Sequence, residues 1–285
     1  MPVKFFASLS YQQCCFLSDS IAGKNTLKTI KEHLSLVEAN FESERELHKL
    51  ITDVPISTVL IRPSAIKYVE NLKKAHAKEI MLDNGIIQRK TPFSIEKLPD
   101  FIAKMEKWLQ LVDYLIVPDV PLWKFGEKYK EKNIRIARRT LEILGKQDKL
   151  VLPLHFNNET DFRLYYDSGL IDEYMWFAIS CRPFSIFAKR KNILEKHEIW
   201  DKTHLLAFNS TNRKNIPLIK NAYSFDSSLY NILAGKFRTM ITRKGEKKLV
   251  RRMNKTEMIL LSLNNAKFYP TFFNALVKNN IIKTV

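Results

Sequence analysis

The sequence predicts an α/β protein, a TIM-like (β/α)8 barrel, from two observations. Eight short apolar runs recur along the chain, and helix-length segments separate them. Several runs are apolar throughout rather than alternating, which is typical of parallel strands covered on both faces. The predicted strands cover residues 3–9, 57–62, 78–82, 113–117, 150–154, 174–179, 204–208 and 222–225.

Helical periodicity fills several of the segments between these strands. Pro63 begins a predicted helix that runs to about residue 77, because proline is favoured in a first helical turn. Residues 95–111 and 125–144 repeat apolar side chains at helical spacing, and Gly145 is suited to cap the second helix. Residues 26–51 predict a longer helix, or a helix pair, inserted early in the barrel.

The pattern changes after the eighth strand, where basic residues become frequent. Residues 229–233 continue as a helix, and residues 244–246 predict a hairpin turn between short basic strands. Residues 256–282 are amphipathic and predict closing helices. We therefore expect one domain over residues 1–285, in which residues 236–285 form a basic C-terminal extension.

The composition favours a polyanionic partner. Lys and Arg total 47 against 30 Asp and Glu, which gives a formal net charge of +17 over 285 residues. Such a surplus favours nucleic acid, and the alternative is a lysine-rich surface without a specific partner. The 45% hydrophobic content is enough for a large core.

The three cysteines, Cys14, Cys15 and Cys181, predict neither a disulfide framework nor a zinc site. Neighbouring cysteines rarely pair, and the chain has no CxxC or Cys/His cluster. This pattern predicts a reduced, cytoplasmic setting without a bound metal. We expect no signal peptide and no membrane span, because no run reaches the ~18 apolar residues that a span needs.

Three aspartates, Asp83, Asp119 and Asp226, lie where apolar runs stop. Because the carboxyl ends of parallel strands meet at one rim of a barrel, these carboxylates are expected at the same edge. The alternative for any one of them is structural, since an aspartate after a strand can cap the following helix.

The segments around these aspartates carry a resemblance to a known family. They read LDNGIIQ at 82–88, PDVP at 118–121 and FDSSLY at 225–230. In this order and at compatible spacing, they resemble the Asp-Ser-Gly-Gly-Phe-Gln loop, the Leu-Asp-Ile-Pro segment and the Phe-Asp-Ser nucleophile segment of the tRNA-guanine transglycosylases. The resemblance covers roughly residues 78–252.

The resemblance implies a role for each matched position. Asp226 would be the nucleophile that attacks C1′ of a ribose and expels guanine, and Asp83 would move the proton on the departing and arriving bases. Asp119 would accept hydrogen bonds from the N1 and 2-amino edge of the base. Asn84 and Gln88 would support the pocket. No metal or nucleotide cofactor is expected, because glycosidic exchange is nearly balanced in energy.

Two further side chains and one basic tract are candidates for binding. His155 follows the middle strand and either contacts the substrate or is a buried, satisfied histidine. Trp123 either stacks on a nucleotide or packs against the protein. The phosphate-binding candidates, which could alternatively be a solvated hairpin, are Arg238, Arg243, Lys244, Lys247, Lys248, Arg251 and Arg252.

The chain also departs from the family. It lacks the zinc-binding subdomain of the tRNA enzymes, and the pair 206–207 is Leu-Ala where the family has Met-Gly. Isoleucines at 86 and 87 replace a glycine and a stacking aromatic, and side chains at glycine positions narrow the base slot. Such a reduced chain is what a DNA-modifying relative would look like.

The resemblance therefore predicts a base-exchange transglycosylase that replaces guanine by a 7-deazaguanine. Its partners would be tRNA or DNA and a guanine-like free base, and relatives of this kind often form homodimers. Two alternatives stay open. One is a non-catalytic nucleic-acid-binding protein on a decayed barrel. The other is an N-glycosidase that releases the base to water.

Overall fold

The predicted barrel is present. A computed structural model of the chain describes residues 3–86, 89–208, 216–227 and 229–281. Eight parallel strands close a barrel in the order β1 to β8. Their bounds are Lys4–Ser8, Thr58–Ile61, Glu79–Leu82, Tyr114–Ile116, Leu150–Leu154, Trp176–Ser180, Thr203–Leu206 and Ser224–Ser227.

The strands form where apolar runs are covered on both faces. All five residues of β5, Leu150–Leu154, are buried. This burial explains why the runs do not alternate between apolar and polar residues. The register between the last two strands pairs His204 with Ser224 and Leu205 with Phe225.

Helices follow the strands in the order expected of repeated strand–helix units. The helices of the described residues, α1 to α12, are Tyr11–Ile21, Lys31–Leu34, Glu44–Thr52, Val69–Lys74, Leu98–Leu109, Leu122–Phe125, Lys130–Leu144, Glu159–Asp167, Leu170–Glu173, Phe187–Lys196, Leu229–Gly235 and Lys255–Ile281.

The early helical insertion is present, but its helices differ from the prediction. Helix α1 was not predicted, although Ser10 and Gln13 form a capping box at its start that was visible in the sequence. Residues 26–51 contain two short helices, α2 and α3, rather than one long helix. The side chain of Ser43 accepts a hydrogen bond from the Glu46 amide and starts α3 afresh.

Three other helices differ from the prediction in length or type. Gly126, with a φ of +103°, separates the short helix α6 from α7, so the helix predicted over 125–144 begins only at Lys130. The helix predicted from Pro63 starts as a 3₁₀ helix and becomes α-helical at Val69. One helix, α12, replaces the predicted closing helices and continues through Pro270.

The predicted hairpin is present in residues 236–252, which we call the basic hairpin. Its strands are β9, Thr239–Ile241, and β10, Lys247–Leu249, and they pair antiparallel. The prediction of two basic strands was wrong for β9, which is apolar and buried. The buried Asn265 of α12 holds β9 by accepting from the Ile241 amide at 2.6 Å and donating to the Thr239 carbonyl at 2.8 Å.

The chain divides into two compact units. One contains most of β3 to β8 with α5 to α10, and its core includes Phe162, Phe177 and Phe225. The other contains α1 to α4, α11, α12 and the basic hairpin, and its core includes Leu17 and Tyr269. That the 285 residues form one domain stays a prediction.

Candidate functional site

Five of the predicted site residues, Asp83, Asn84, Asp119, His155 and Asp226, lie at the carboxyl edge of the barrel. Asp83 follows β3, Asp119 lies three residues after β4, and His155 follows β5 directly. Asp226 differs from the prediction, because β8 continues through it to Ser227. Its carboxylate is therefore presented by a strand rather than by the loop after one.

Asn84, Asp119 and His155 form one hydrogen-bonded cluster at this edge. The Asn84 amide donates to Asp119 Oδ1 at 2.7 Å and to the Val117 carbonyl at 2.8 Å, and its oxygen accepts from the Ile86 amide at 3.0 Å. Asp119 Oδ2 lies 2.6 Å from Nε2 of His155. Both oxygens of the Asp119 carboxylate are thus fixed in direction by neighbouring side chains.

Helix α7 holds the loop that carries Asp119 through hydrogen bonds from one side chain. Asn133 is buried, accepts from the Val120 amide at 2.6 Å and donates to the Val120 carbonyl at 3.0 Å. A side-chain amide that satisfies both backbone groups of one residue replaces a pair of ladder hydrogen bonds. The backbone next to Asp119 is therefore fixed although it belongs to no strand.

His155 supports Asp119 with its ring and is anchored through its backbone. Its amide donates to the hydroxyl of Tyr165 at 3.2 Å. Burial raises the pKa of Tyr165, so this phenol stays neutral and can accept the bond. The ring of His155 is mostly buried and lies against the Asp119 carboxylate.

Asp226 is held by a second polar cluster within β7 and β8. Its Oδ1 accepts from the Ala207 amide at 2.9 Å and lies 3.3 Å from Nε2 of the buried His204. Nδ1 of His204 lies 2.8 Å from the hydroxyl of Ser224. Because an ionised carboxylate only accepts, Nε2 carries the proton in this arrangement and the Ser224 hydroxyl donates to Nδ1.

The described hydrogen bonds of Asp119 do not support the capping interpretation for that residue. The amide of Leu229, the first residue of α11, donates to the hydroxyl of Ser227 at 3.1 Å. The described hydrogen bonds of the Asp119 side chain go to an asparagine and a histidine rather than to a helix amide. Both carboxylates are built into side-chain clusters at the barrel edge.

Ala207, which contacts Asp226, has an unusual backbone conformation. Its φ is +55°, in the left-handed region that favours glycine. An alanine there costs about 1 kcal/mol of backbone strain. The bend that it makes after β7 aims its amide at Asp226.

The structure describes Asp83 but not Gln88, two residues predicted to belong to the site. Asp83 is half-buried after β3, next to the rigid Asn84, and its acid/base role stays a prediction. Gln88 lies outside the described residues, as does its neighbour Ile87.

Sequence reasoning missed a buried arginine that connects two segments at this edge of the barrel. Arg190 of α10 donates to the carbonyls of Phe156, Ser180 and Arg182 at 2.7–2.9 Å and to Oδ1 of Asn157 at 2.9 Å. It therefore connects the segment after β5 to the end of β6. Nothing in the sequence distinguishes this arginine from the many surface cations.

His204 and Ser224 were also missed, although a signal existed. Ser224 and Asp226 are two residues apart in β8, so they share one face of that strand. Cys181, to which no chemistry was assigned, is fully buried, and burial raises the pKa of its thiol well above the ordinary value.

The seven predicted phosphate contacts divide into two groups. Arg243 pairs with Glu42 at 3.2 Å and Glu46 at 3.1 Å, and Arg251 pairs with the buried Glu257. These two arginines already have carboxylate partners. The other five predicted phosphate contacts, which are also exposed, are Arg238, Lys244, Lys247, Lys248 and Arg252.

Trp123 lies on α6, directly after the segment that carries Asp119. Its side chain is 55% exposed, so the packing interpretation is wrong for most of its surface. It can offer an aromatic face to a ligand at this edge.

The comparisons assign no family. A scan against protein-family models finds no match, and neither does a comparison with curated proteins. Within the described ranges, His, Cys, Asp and Glu side chains form no group of three or more that could hold a metal ion. None of the described helices is long and apolar enough to cross a membrane.

Proposed function

We propose that this protein is a base-exchange transglycosylase, which replaces guanine in tRNA or DNA by a 7-deazaguanine through a covalent Asp226–ribose intermediate. The observation that carries the proposal is the Asp226 cluster. A carboxylate that is 7% exposed is held at the barrel edge by a backbone amide and a buried imidazole. Active sites of this barrel type lie at that edge.

The reaction requires two displacements at C1′. In the first, a carboxylate oxygen of Asp226 bonds to C1′ while the bond from C1′ to the guanine nitrogen breaks, and Asp83 donates a proton to the departing base. In the second, the incoming base gives a proton to Asp83 and bonds to C1′, and the ester bond to Asp226 breaks. The carboxylate is regenerated, and no net proton or electron is consumed.

The Ala207 amide and His204 would contribute orientation. Both meet Oδ1 of Asp226, so they fix the plane of the carboxylate before the sugar arrives. Holding a nucleophile in the attacking geometry removes much of the entropic cost of a displacement. The negative charge also favours the oxocarbenium-like transition state at C1′.

The Asp119 cluster would select the base. Each carboxylate oxygen has two acceptor positions, so Asp119 can keep its bonds to Asn84 and His155 and still accept two more. An N–H and an adjacent amino group on one purine edge match such a pair of acceptors. The preorganised carboxylate favours guanine-like bases, because a base without these donors leaves the acceptors unpaired.

A direct test is incubation of the protein with labelled guanine or preQ0 and with tRNA, single-stranded DNA or duplex DNA. We expect label in one polymer, and a covalent adduct that survives denaturing electrophoresis. Asp226→Asn should lower exchange by about 1000-fold or more while the protein stays folded. The matched control is Asp201→Asn, an exposed aspartate that should exchange normally.

The same assay distinguishes the two alternatives. Release of free guanine without an incoming base would indicate an N-glycosidase. Binding of a polymer without exchange or release, while a known transglycosylase succeeds in parallel, would indicate a decayed barrel and would refute the proposed function.

A further inference from the structure

The basic hairpin carries two exposed apolar side chains among its cations. Phe237 precedes β9 and is 50% exposed, and Leu249 ends β10 and is 78% exposed. The register places Leu249 opposite Thr239, so both apolar residues belong to the open end of the hairpin, away from its turn. An aromatic and an aliphatic side chain are thus exposed at the same end of a cationic element.

These side chains are displayed on a supported element. Strand β9 is buried, and Asn265 bonds to its backbone at both Thr239 and Ile241. The Phe237 amide donates to the Ile232 carbonyl of α11 at 3.3 Å. The backbone that carries the exposed ring is therefore held by the fold and needs little further ordering when a partner binds.

The charge around the two side chains is almost entirely positive. Residues 236–255 contain nine Lys and Arg but one acid, Glu246. Arg243 and Arg251 already have carboxylate partners. The Lys236 ammonium lies 5.6 Å from the centre of the Phe237 ring, so a cation and an aromatic face are presented together.

Phosphates and unstacked bases match this combination. Cations follow a sugar–phosphate backbone, and an aromatic side chain stacks on a base whatever its identity. A regular duplex offers the phosphates but keeps its base faces stacked inside. An acidic protein would match the charge, but it lacks the regular alternation of charge and flat apolar faces.

We propose that the basic hairpin binds an unpaired stretch of the polynucleotide, with Phe237 stacked on a base, Leu249 against a neighbouring base or sugar, and Arg238, Lys248 and Arg252 on phosphates. This inference about the hairpin rests on the proposed function, because it takes the bound polynucleotide to be the substrate of the exchange reaction. It narrows that substrate to a single strand or a loop.

The test is fluorescence anisotropy of labelled single strands of DNA and RNA, and of a duplex of the same length, across a salt series. We expect the single strands to bind more tightly than the duplex. Phe237→Ala should weaken single-strand binding by about tenfold and leave the slope of log K against log salt unchanged. Lys248→Ala should reduce the magnitude of that slope by about 0.7.

Two further variants separate stacking from other effects. Phe237→Trp should restore the affinity, and Phe237→Leu should not, because it keeps apolar area without an aromatic face. Tyr166→Ala, which removes an exposed aromatic from α8, is the matched control and should bind as the wild type does.

The proposal is overturned if Phe237→Ala binds single strands normally, if the duplex binds as tightly as the single strand, or if the variant instead changes the oligomeric state in light scattering. That last result would assign the apolar pair to a second copy of the chain. Asp226→Asn should lose exchange and keep this binding, so the two proposals fail separately.

Discussion

Replacing Asn84 by alanine tests whether the Asp119 cluster is the built site that its geometry indicates. The change removes three hydrogen bonds, one to a carboxylate and two to backbone groups of Val117 and Ile86. A neutral hydrogen bond contributes about 1 kcal/mol net, and one to a charged group about 1.5–3 kcal/mol. The Ile86 amide is then left buried without this partner.

We therefore expect Asn84→Ala to lower the free energy of unfolding by about 3 kcal/mol, once water entering from the barrel edge replaces part of the loss. At about 2 °C per kcal/mol for a chain of this size, the melting temperature should fall by about 6 °C. Urea unfolding followed by circular dichroism measures the first quantity, and a thermal scan measures the second.

A second variant and a control sharpen this test. Asn84→Asp keeps the size of the side chain but turns an oxygen towards Asp119 Oδ1, so it should cost at least as much at neutral pH. Asn274→Ala, on an exposed position of α12, should change stability by less than about 0.5 kcal/mol. If Asn84→Ala stays within 1 kcal/mol of the wild type, the cluster does not fix the Asp119 carboxylate as argued.

Four further expectations follow from single residues. Ala207→Gly should stabilise the protein by about 0.5–1 kcal/mol in urea unfolding, because glycine relieves the left-handed φ. Long-range ¹H–¹⁵N spectra should show His204 as the Nε2–H tautomer at neutral pH, because its carboxylate neighbour only accepts. The hydrogen bond from Arg251 lowers the pKa of Glu257 below its ordinary 4.5. The stability that Glu257 contributes is therefore complete above pH 4.5 and disappears as the pH falls through the lowered pKa. Glu257→Gln should lose this acid dependence in unfolding curves. Of the three thiols only Cys15 should react with a thiol reagent in the native protein, because the other two are buried and burial raises their pKa.

Each of these has a contrary outcome. A destabilised Ala207→Gly would mean that the alanine methyl packs favourably enough to offset the strain. An Nδ1–H tautomer of His204 would leave Nε2 without a proton and remove its hydrogen bond to the carboxylate. An unchanged acid transition in Glu257→Gln, or two reactive thiols before unfolding, would contradict the burial and pairing on which these expectations depend.

The barrel was predictable because its signal is local. A parallel strand covered on both faces is usually apolar along its length, so a run such as β5 can be recognised from the sequence. Asp83 and Asp119 were predictable for the same reason, since polar residues stop an apolar run, whereas β8 continues through Asp226. Helix boundaries were less so, because one residue such as Gly126 can end a helix within a periodic stretch.

The site partners were harder to predict. Asn84 bonds to Asp119 across 35 positions, and His155 reaches the same carboxylate across 36. His204 meets Asp226 only because the register places β7 beside β8 at that point. Arg243 was predicted to bind phosphate, but its carboxylate partner Glu46 comes from a helix nearly two hundred residues earlier.

The sequence by itself determined the eight strands, the positions of the three acids and the basic character of the C-terminal hairpin, because hydrophobic period and charge are properties of neighbouring residues. Only the tertiary structure decided which polar groups hold Asp119 and Asp226, which arginines of the hairpin are already paired, and that Phe237 remains exposed. Hydrogen bonds and ion pairs act over a few ångströms, and closing a barrel brings together residues that no sequence window contains.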